Sequence, residues 1–239
     1  DARAERAIRR LPLLVRPLDL TDWAWHFKTD KWGGHWYTPH YERHLRHLRR
    51  QPITLLEIGV GGYDLVGEGG ASLRMWERWL PRARIVGLDI EDKRWAAGGR
   101  IHVHQGNQVD ATVLRAIVAE HGPIQVVIDD GSHRPEHIRE TFRLLFPLLP
   151  DGAIYAIEDT QTSYWPAWGG STDIDDPATT IAFVKDLLDG LHHEEMLIDR
   201  PSSEIDRTVR AVHCYHNLVV IEKGDNSEGT NKAAAAGDF

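Results

Sequence analysis

From residue 53 onward, short apolar runs alternate with amphipathic stretches. Residues 53–58 form a continuous apolar run followed by a glycine-rich loop; 84–90, 124–129 and 153–157 are near-continuous runs of the same kind, and 101–104 reads as a short strand between them. Runs this short and this apolar predict strands buried on both faces. Between them, apolar positions fall at helical spacing over about 72–80, 111–120 and 136–148. Such alternation predicts an α/β fold with a doubly wound, mostly parallel sheet. Two helices are expected before the first strand: 21–27, capped by Thr21 or Asp22, and one starting at Pro39 with Tyr41, His44, Leu45 and Leu48 on one face. Residues 29–38 between them are too polar, aromatic and glycine-rich for regular structure. After residue 157 the rhythm breaks into an irregular stretch over 160–176, a helix over 178–190, and strands over 196–199 and 209–222, the last closing the sheet antiparallel.

Composition adds bounds to this picture. The 239 residues are long enough to bury a full core, and 41% hydrophobic with 27% charged content is ordinary for a globular chain. We expect an arginine-rich helical arm over 1–20, one domain over 21–223, and a disordered tail over 224–239. The net charge of −8 argues against a nucleic-acid partner, and the chain has no apolar run long enough for a membrane span. The lone Cys214 excludes a disulfide framework and reads as a buried apolar filler. The expected setting is the cytoplasm. The nine tryptophans are many for this length, and those at 165 and 168 suit a ligand platform as well as packing.

The loop after the first strand, Leu56-Glu57-Ile58-Gly59-Val60-Gly61-Gly62, lets backbone approach a ligand closely. Glu57 would repel a pyrophosphate but suits a cationic ligand, and Asp89 ends the second strand where a ribose diol is read. This combination favours S-adenosylmethionine over a nicotinamide dinucleotide. Ser72 would cap the next helix, its hydroxyl either satisfying backbone N–H groups alone or also touching the cofactor. The polar run Gln105-Gly-Asn-Gln-Val-Asp110 lies where adenine would be recognised, with Asp110 itself better suited to capping the next helix.

Two later strands end in paired acids: Val126-Val-Ile-Asp-Asp-Gly-Ser-His133 and Ala153-Ile-Tyr-Ala-Ile-Glu-Asp159. In a doubly wound sheet both ends lie on one carboxyl edge. Carboxylates converging there need a cation, and all-oxygen donors suit Mg²⁺, with Mn²⁺ as second candidate. His133, just past the turn, is placed to accept a proton near neutral pH. His137 stands one helical turn further on, where a two-histidine metal site is the less favoured alternative.

These motifs, together with Thr29-Asp-Lys-Trp-Gly, His35-Trp-Tyr-Thr38, Tyr63 at the end of the glycine loop, and Tyr164-Trp-Pro-Ala-Trp-Gly-Gly170, resemble the metal-dependent sugar O-methyltransferases. These are the macrolide-sugar enzymes and their compact methylmannose-polysaccharide relatives. The resemblance implies a class I, Rossmann-like methyltransferase fold binding S-adenosylmethionine. It also implies Mg²⁺ on Asp130, Glu158 and Asp159, with His133 as general base. Glu57, Gly59, Gly61, Tyr63, Ser72, Asp89, Asn107 and Gln108 would line the cofactor site, with Lys31 from the 29–37 loop and Asp129 on its cofactor side. Tyr37, Tyr164, Trp165 and His137 would face the acceptor, with the 160–176 segment forming the sugar pocket. On the sequence given, we expect no counterpart of the sizeable N-terminal domain of the macrolide enzymes. That shifts the expected acceptor to a manno-oligosaccharide methylated at the 1-hydroxyl, ahead of a deoxysugar on a macrolide. A catechol-type methyltransferase, or a binding subunit without turnover, are the rival readings. A homo-oligomer is an open expectation.

Overall fold

The computed structural model describes residues 17–65 and 67–232. The expected arm helix over 2–10 and the 233–236 alanines lie outside the described residues. Helices α1 (Leu20–Phe27) and α2 (Thr38–Leu45) precede the alternating part. That part runs β1 (Thr54–Ile58), α3 (Ala71–Trp79), β2 (Arg84–Asp89), β3 (Ile101–Gln105), α4 (Ala111–His121), β4 (Val126–Asp129), α5 (Pro135–Leu145) and β5 (Ile154–Glu158). It is followed by α6 (Thr180–Gly190), α7 (Glu204–Thr208), β6 (Val209–Tyr215) and β7 (Leu218–Lys223). The sheet order is β3-β2-β1-β4-β5-β7-β6, with the first five strands parallel and β7 and β6 antiparallel. The strand order reverses between β1 and β4, which in such sheets opens a crevice above the carboxyl edge.

The period of two along each strand sorts the core. Leu55, Val126, Ile128, Ile154 and Ala156 pack under α1, α2 and α3, against Tyr41, Leu45, Trp76 and Trp79. Leu56, Val127, Tyr155 and Ile157 point the other way, against Ile117, Ile138, Phe142 and Val184. The same parity reaches the strand ends. Glu57, Asp130 and Glu158 continue the first set, whereas Asp129 continues the second.

Several expectations are corrected. The cap of α1 is Asp19, whose carboxylate accepts from the Asp22 N–H in a capping box, rather than Thr21 or Asp22. The 196–199 strand is absent; Leu197 and Ile198 lie exposed in a turn region, so their apolarity signals no pairing. The single strand expected over 209–222 is a hairpin, turned at Asn217 with φ +62°. Cys214 is exposed, because β6 is an edge strand whose alternate residues face outward. Residues 224–232, expected as part of a disordered tail, are hydrogen-bonded along the body: Asn226 Nδ2 donates to the Asp206 carbonyl and Asn231 N–H to Glu195.

Candidate active site

Above the carboxyl edge lies a cavity of about 810 Å³. Gly59, Gly61, Gly62 and Tyr63 from the first loop, Asp89 from β2, and Gly106, Asn107 and Gln108 after β3 form one side. Asp30, His35, Asp130, His133, His137 and Asp159 form the other. Gly59 has φ +89°, and a Cβ there would stand 2.0 Å from the Asp130 carbonyl oxygen, so the two loops close against each other only through glycine. Gly61 has φ +78°, and only the Gly69 Cα comes within reach of a Cβ, so any side chain there would take up cavity space. Asp89 is fixed by two backbone donors, Val60 N–H to Oδ2 at 2.8 Å and Glu91 N–H to Oδ1 at 2.9 Å. Each oxygen keeps a lone pair toward the cavity, which suits a diol. Gln108 is a bracket: its Nε2 donates to Asp129 and Thr141 while its Oε1 accepts from Ser132 N–H.

Asp130, His133 and Asp159 converge at the rim, with ligand-type atoms within 4.8 Å of one another. His133 Nε2 stands 3.7 Å from Asp159 Oδ2. Both residues hold left-handed backbone, φ +55° and +54°, a conformation that costs a non-glycine residue about 1–2 kcal/mol. Strain of this kind gathers at sites whose geometry the fold over-determines. The Thr162 hydroxyl pins it, its one proton shared between the His133 carbonyl at 2.8 Å and the Asp159 carbonyl at 2.9 Å. Burial raises the Asp159 carboxyl, but the Tyr37 hydroxyl and the nearby His133 and His35 outweigh it and hold it below the usual range.

Beneath the rim is a feature the sequence did not disclose. Lys31 is wholly buried, and its Nζ meets Glu158 Oε1 at 2.7 Å, Asp130 Oδ2 at 2.8 Å and Glu57 Oε1 at 3.2 Å. The Tyr41 hydroxyl donates to the same Glu158 oxygen at 2.5 Å. Burial disfavours the ammonium, yet Asp130, Glu158 and Glu57 together raise Lys31 well above its usual value, so it stays charged. Burial and the Asp130 charge push Glu158 up, against Lys31.

This geometry moves several expected contacts. Lys31, Glu57, Ser72 and Asp129 do not line the cavity. Ser72 Oγ and Trp76 Nε1 both donate to Glu57, which is fully buried on the α3 side. Asp129 points to the opposite face, where Tyr155 OH and Gln108 hold it and burial pushes its carboxyl up to about 7. Glu158 is turned toward Lys31 and Tyr41 and is not part of the rim triad. Tyr37, expected to face an acceptor, is buried; its hydroxyl donates to Asp159 Oδ1 at 2.8 Å. Tyr164 and Trp165 are exposed but outside the cavity lining, and Trp168 is the aromatic beside His133, ring centroids 5.9 Å apart. His137 lines the cavity, with Nδ1 2.9 Å from Ser132 Oγ. Asp30, His35 and Tyr41 were missed; His35 and Asp30 sat in a motif already singled out, so their loop was the available signal.

A seven-stranded sheet of this order, with a glycine-loop cavity over the β1/β4 switch point, is the class I S-adenosylmethionine-dependent methyltransferase fold. No protein-family model matches the chain. It is 47% identical over 215 residues to demethylmacrocin O-methyltransferase of Streptomyces fradiae, covering 88% of this chain and 54% of that one. It is 45% identical over 235 residues to the Streptomyces olivaceus 8-demethyl-8-(2-methoxy-alpha-L-rhamnosyl)-tetracenomycin-C 3'-O-methyltransferase, covering 95% of this chain and 60% of that one. The solved MycE methyltransferase of the mycinamycin pathway, in complex with Mg, SAH and mycinamycin VI, superposes with TM-score 0.87 at 40% identity, over 94% of this chain and 60% of that one. Over the part it spans, the chain is a homologue of the macrolide- and tetracenomycin-sugar O-methyltransferases, the family its motifs resemble. It spans little more than half the length of these relatives. No helix of the described residues is long and apolar enough to cross a membrane.

Proposed function

We propose that the chain catalyses Mg²⁺-dependent O-methylation of a sugar hydroxyl with S-adenosylmethionine as donor. The observation that carries this is the convergence of Asp130, His133 and Asp159 at the rim of the glycine-lined cavity. The oxygen donors of Asp130 and Asp159 fit Mg²⁺, with Mn²⁺ as second choice; Glu158, held by Lys31 and Tyr41, would join them only by giving up those partners. The glycine loop, Asp89 and Asn107 fit the cofactor, whose aminoacyl end would lie toward Gly59 and Gly61. When bound, S-adenosylmethionine supplies the methyl group and Mg²⁺ the Lewis acidity at the acceptor oxygen.

The chain's own residues then do three things. His133 Nε2 accepts the hydroxyl proton as the acceptor oxygen becomes methylated, and Asp159 steadies the charged imidazole from 3.7 Å. Tyr37 and Thr162 hold Asp159 and the strained turn in place. His35 and His137 line the side an acceptor would meet, and Trp168 packs beside His133 just outside that lining, so an imidazole and aromatic surface suited to pyranose C–H faces and hydroxyls is at hand. Much of the rate enhancement in such a reaction comes from alignment.

The relatives named above carry macrolide or rhamnosyl-polyketide acceptors in their names. Their support goes to a deoxysugar of a glycosylated polyketide, and the manno-oligosaccharide expected from chain length gives way to it. An acceptor screen with methyl-labelled cofactor tests the reading, comparing a deoxysugar glycoside, a mannoside and a catechol. Label should enter the deoxysugar glycoside, and His133→Ala should abolish transfer while S-adenosylhomocysteine binding stays within about threefold. Full transfer by His133→Ala removes the histidine from the base role.

A further inference from the structure

A second group of ligand-type side chains lies on the antiparallel side of the sheet, outside the cavity. His44 from α2, His213 from β6 and Glu222 from β7 bring their ligand atoms within 4.8 Å of one another. Both imidazoles address one carboxylate oxygen: His213 Nε2 is 3.0 Å and His44 Nδ1 3.8 Å from Glu222 Oε1. Tetrahedral zinc, with bonds of about 2.0–2.1 Å, sets its ligand atoms about 3.3 Å apart, between those two separations.

The surroundings are those of a supported ligand set. The other nitrogen of His44, Nε2, is 2.8 Å from the Tyr215 hydroxyl, an outer partner that fixes ring orientation and tautomer. The other oxygen of Glu222 accepts from Arg210 Nη2 at 2.8 Å, leaving Oε1 for the imidazoles. His44 is buried while His213 is partly open, so one side remains for a water as fourth ligand.

We propose that His44, His213 and Glu222 form a Zn²⁺ site that clips α2 to the β6–β7 hairpin. Two imidazoles and a carboxylate select zinc over the hard cation suited to Asp130 and Asp159, so the two sites sort metals by donor type. The clip bears on the active site through one helix. Tyr37, just before α2, and Tyr41, within it, hold Asp159 and Glu158, and the hairpin's Asn217 carbonyl lies 3.1 Å from the Tyr37 hydroxyl, sharing its one proton with Asp159.

The test is Zn²⁺ uptake by metal-stripped full chain with Mg²⁺ in excess, read by equilibrium dialysis and by visible absorption of Co²⁺ as a replacement probe. Wild type should take up one more equivalent than His213→Ala and show tetrahedral Co²⁺ absorption that Zn²⁺ displaces. Tyr215→Phe, which removes only the outer partner, should weaken uptake about 10–100-fold. Asp130→Asn should retain the site. The comparison with His213→Ala also separates it from the His104, Glu120 and His121 group, which that variant leaves intact. Equal uptake by wild type and His213→Ala, no uptake by wild type, or loss in Asp130→Asn would each overturn the proposal.

Discussion

Replacing Lys31 with Met is the sharpest perturbation of this structure. The side chain is fully buried and Met fills a similar volume, so the change removes charge with little change in packing. Three carboxylates within 3.2 Å of Nζ would then share a buried pocket with no cation. At an effective dielectric near 20, one contact at 2.7 Å is worth roughly 6 kcal/mol before desolvation is counted. The net cost of stripping one partner from a buried ion pair is smaller, about 3–5 kcal/mol. Part of that cost would be relieved by Glu158 taking up a proton, the direction in which burial and Asp130 already push it. For a domain of this size each kcal/mol lowers Tm by about 2–4 °C, so Lys31→Met should melt roughly 6–20 °C lower. Adding Glu158→Gln to Lys31→Met should recover part of the loss, because it removes one of the orphaned charges. Thermal melts followed by circular dichroism in metal-free buffer read both variants. A Lys31→Met melt within about 2 °C of wild type would refute the view that this ammonium neutralises the acids beneath the rim.

Other perturbations address separate parts. Tyr37→Phe removes a donor from Asp159 and should weaken Mg²⁺ binding about 10–100-fold by calorimetric titration, with S-adenosylhomocysteine binding little changed. Gly59→Ala places a Cβ 2.0 Å from the Asp130 carbonyl at a left-handed φ, so it should cost more than about 3 kcal/mol in denaturant unfolding; a loss under 1 kcal/mol would contradict the close approach. Asp206 is held below the usual carboxyl range: burial raises it, but the Ser203 donors and Arg200 outweigh burial. A depressed folded pKa contributes stability above the unfolded value near 3.9 and loses it as pH falls through the folded one. Asp206→Asn should therefore lower Tm at pH 7, and the gap from wild type should narrow toward pH 2.

What the chain disclosed depended on range. The strands β1, β2, β4 and β5 were legible because each is a largely apolar run, which a parallel sheet covered on both faces requires, whereas β3, Ile101-His-Val-His-Gln105, alternates apolar residues with histidines. The Asp130, His133 and Asp159 positions were legible because strand ends place acids on one edge. The failures came from parity and distance. Asp129 and Asp130 are adjacent, yet alternation sends them to opposite faces, and counting from Val126 would have separated them. Lys31 meets acids 99 and 127 residues away, and nothing local to Thr29-Asp-Lys-Trp marks that destination. The β6–β7 turn hid inside an apolar run, although an asparagine between two β-rich segments is itself a hairpin signal. Leu197 and Ile198 misled in the opposite sense, as apolar residues with no neighbouring strand to pair with.

The central claim is that the rim formed by Asp130, His133 and Asp159 is a metal-dependent methyl-transfer centre. Transfer of labelled methyl from S-adenosylmethionine to a deoxysugar glycoside, measured after exhaustive EDTA treatment and again after adding back Mg²⁺, tests it most directly. The account predicts loss of at least about 100-fold on stripping and recovery on adding Mg²⁺. An unchanged rate in EDTA would contradict it.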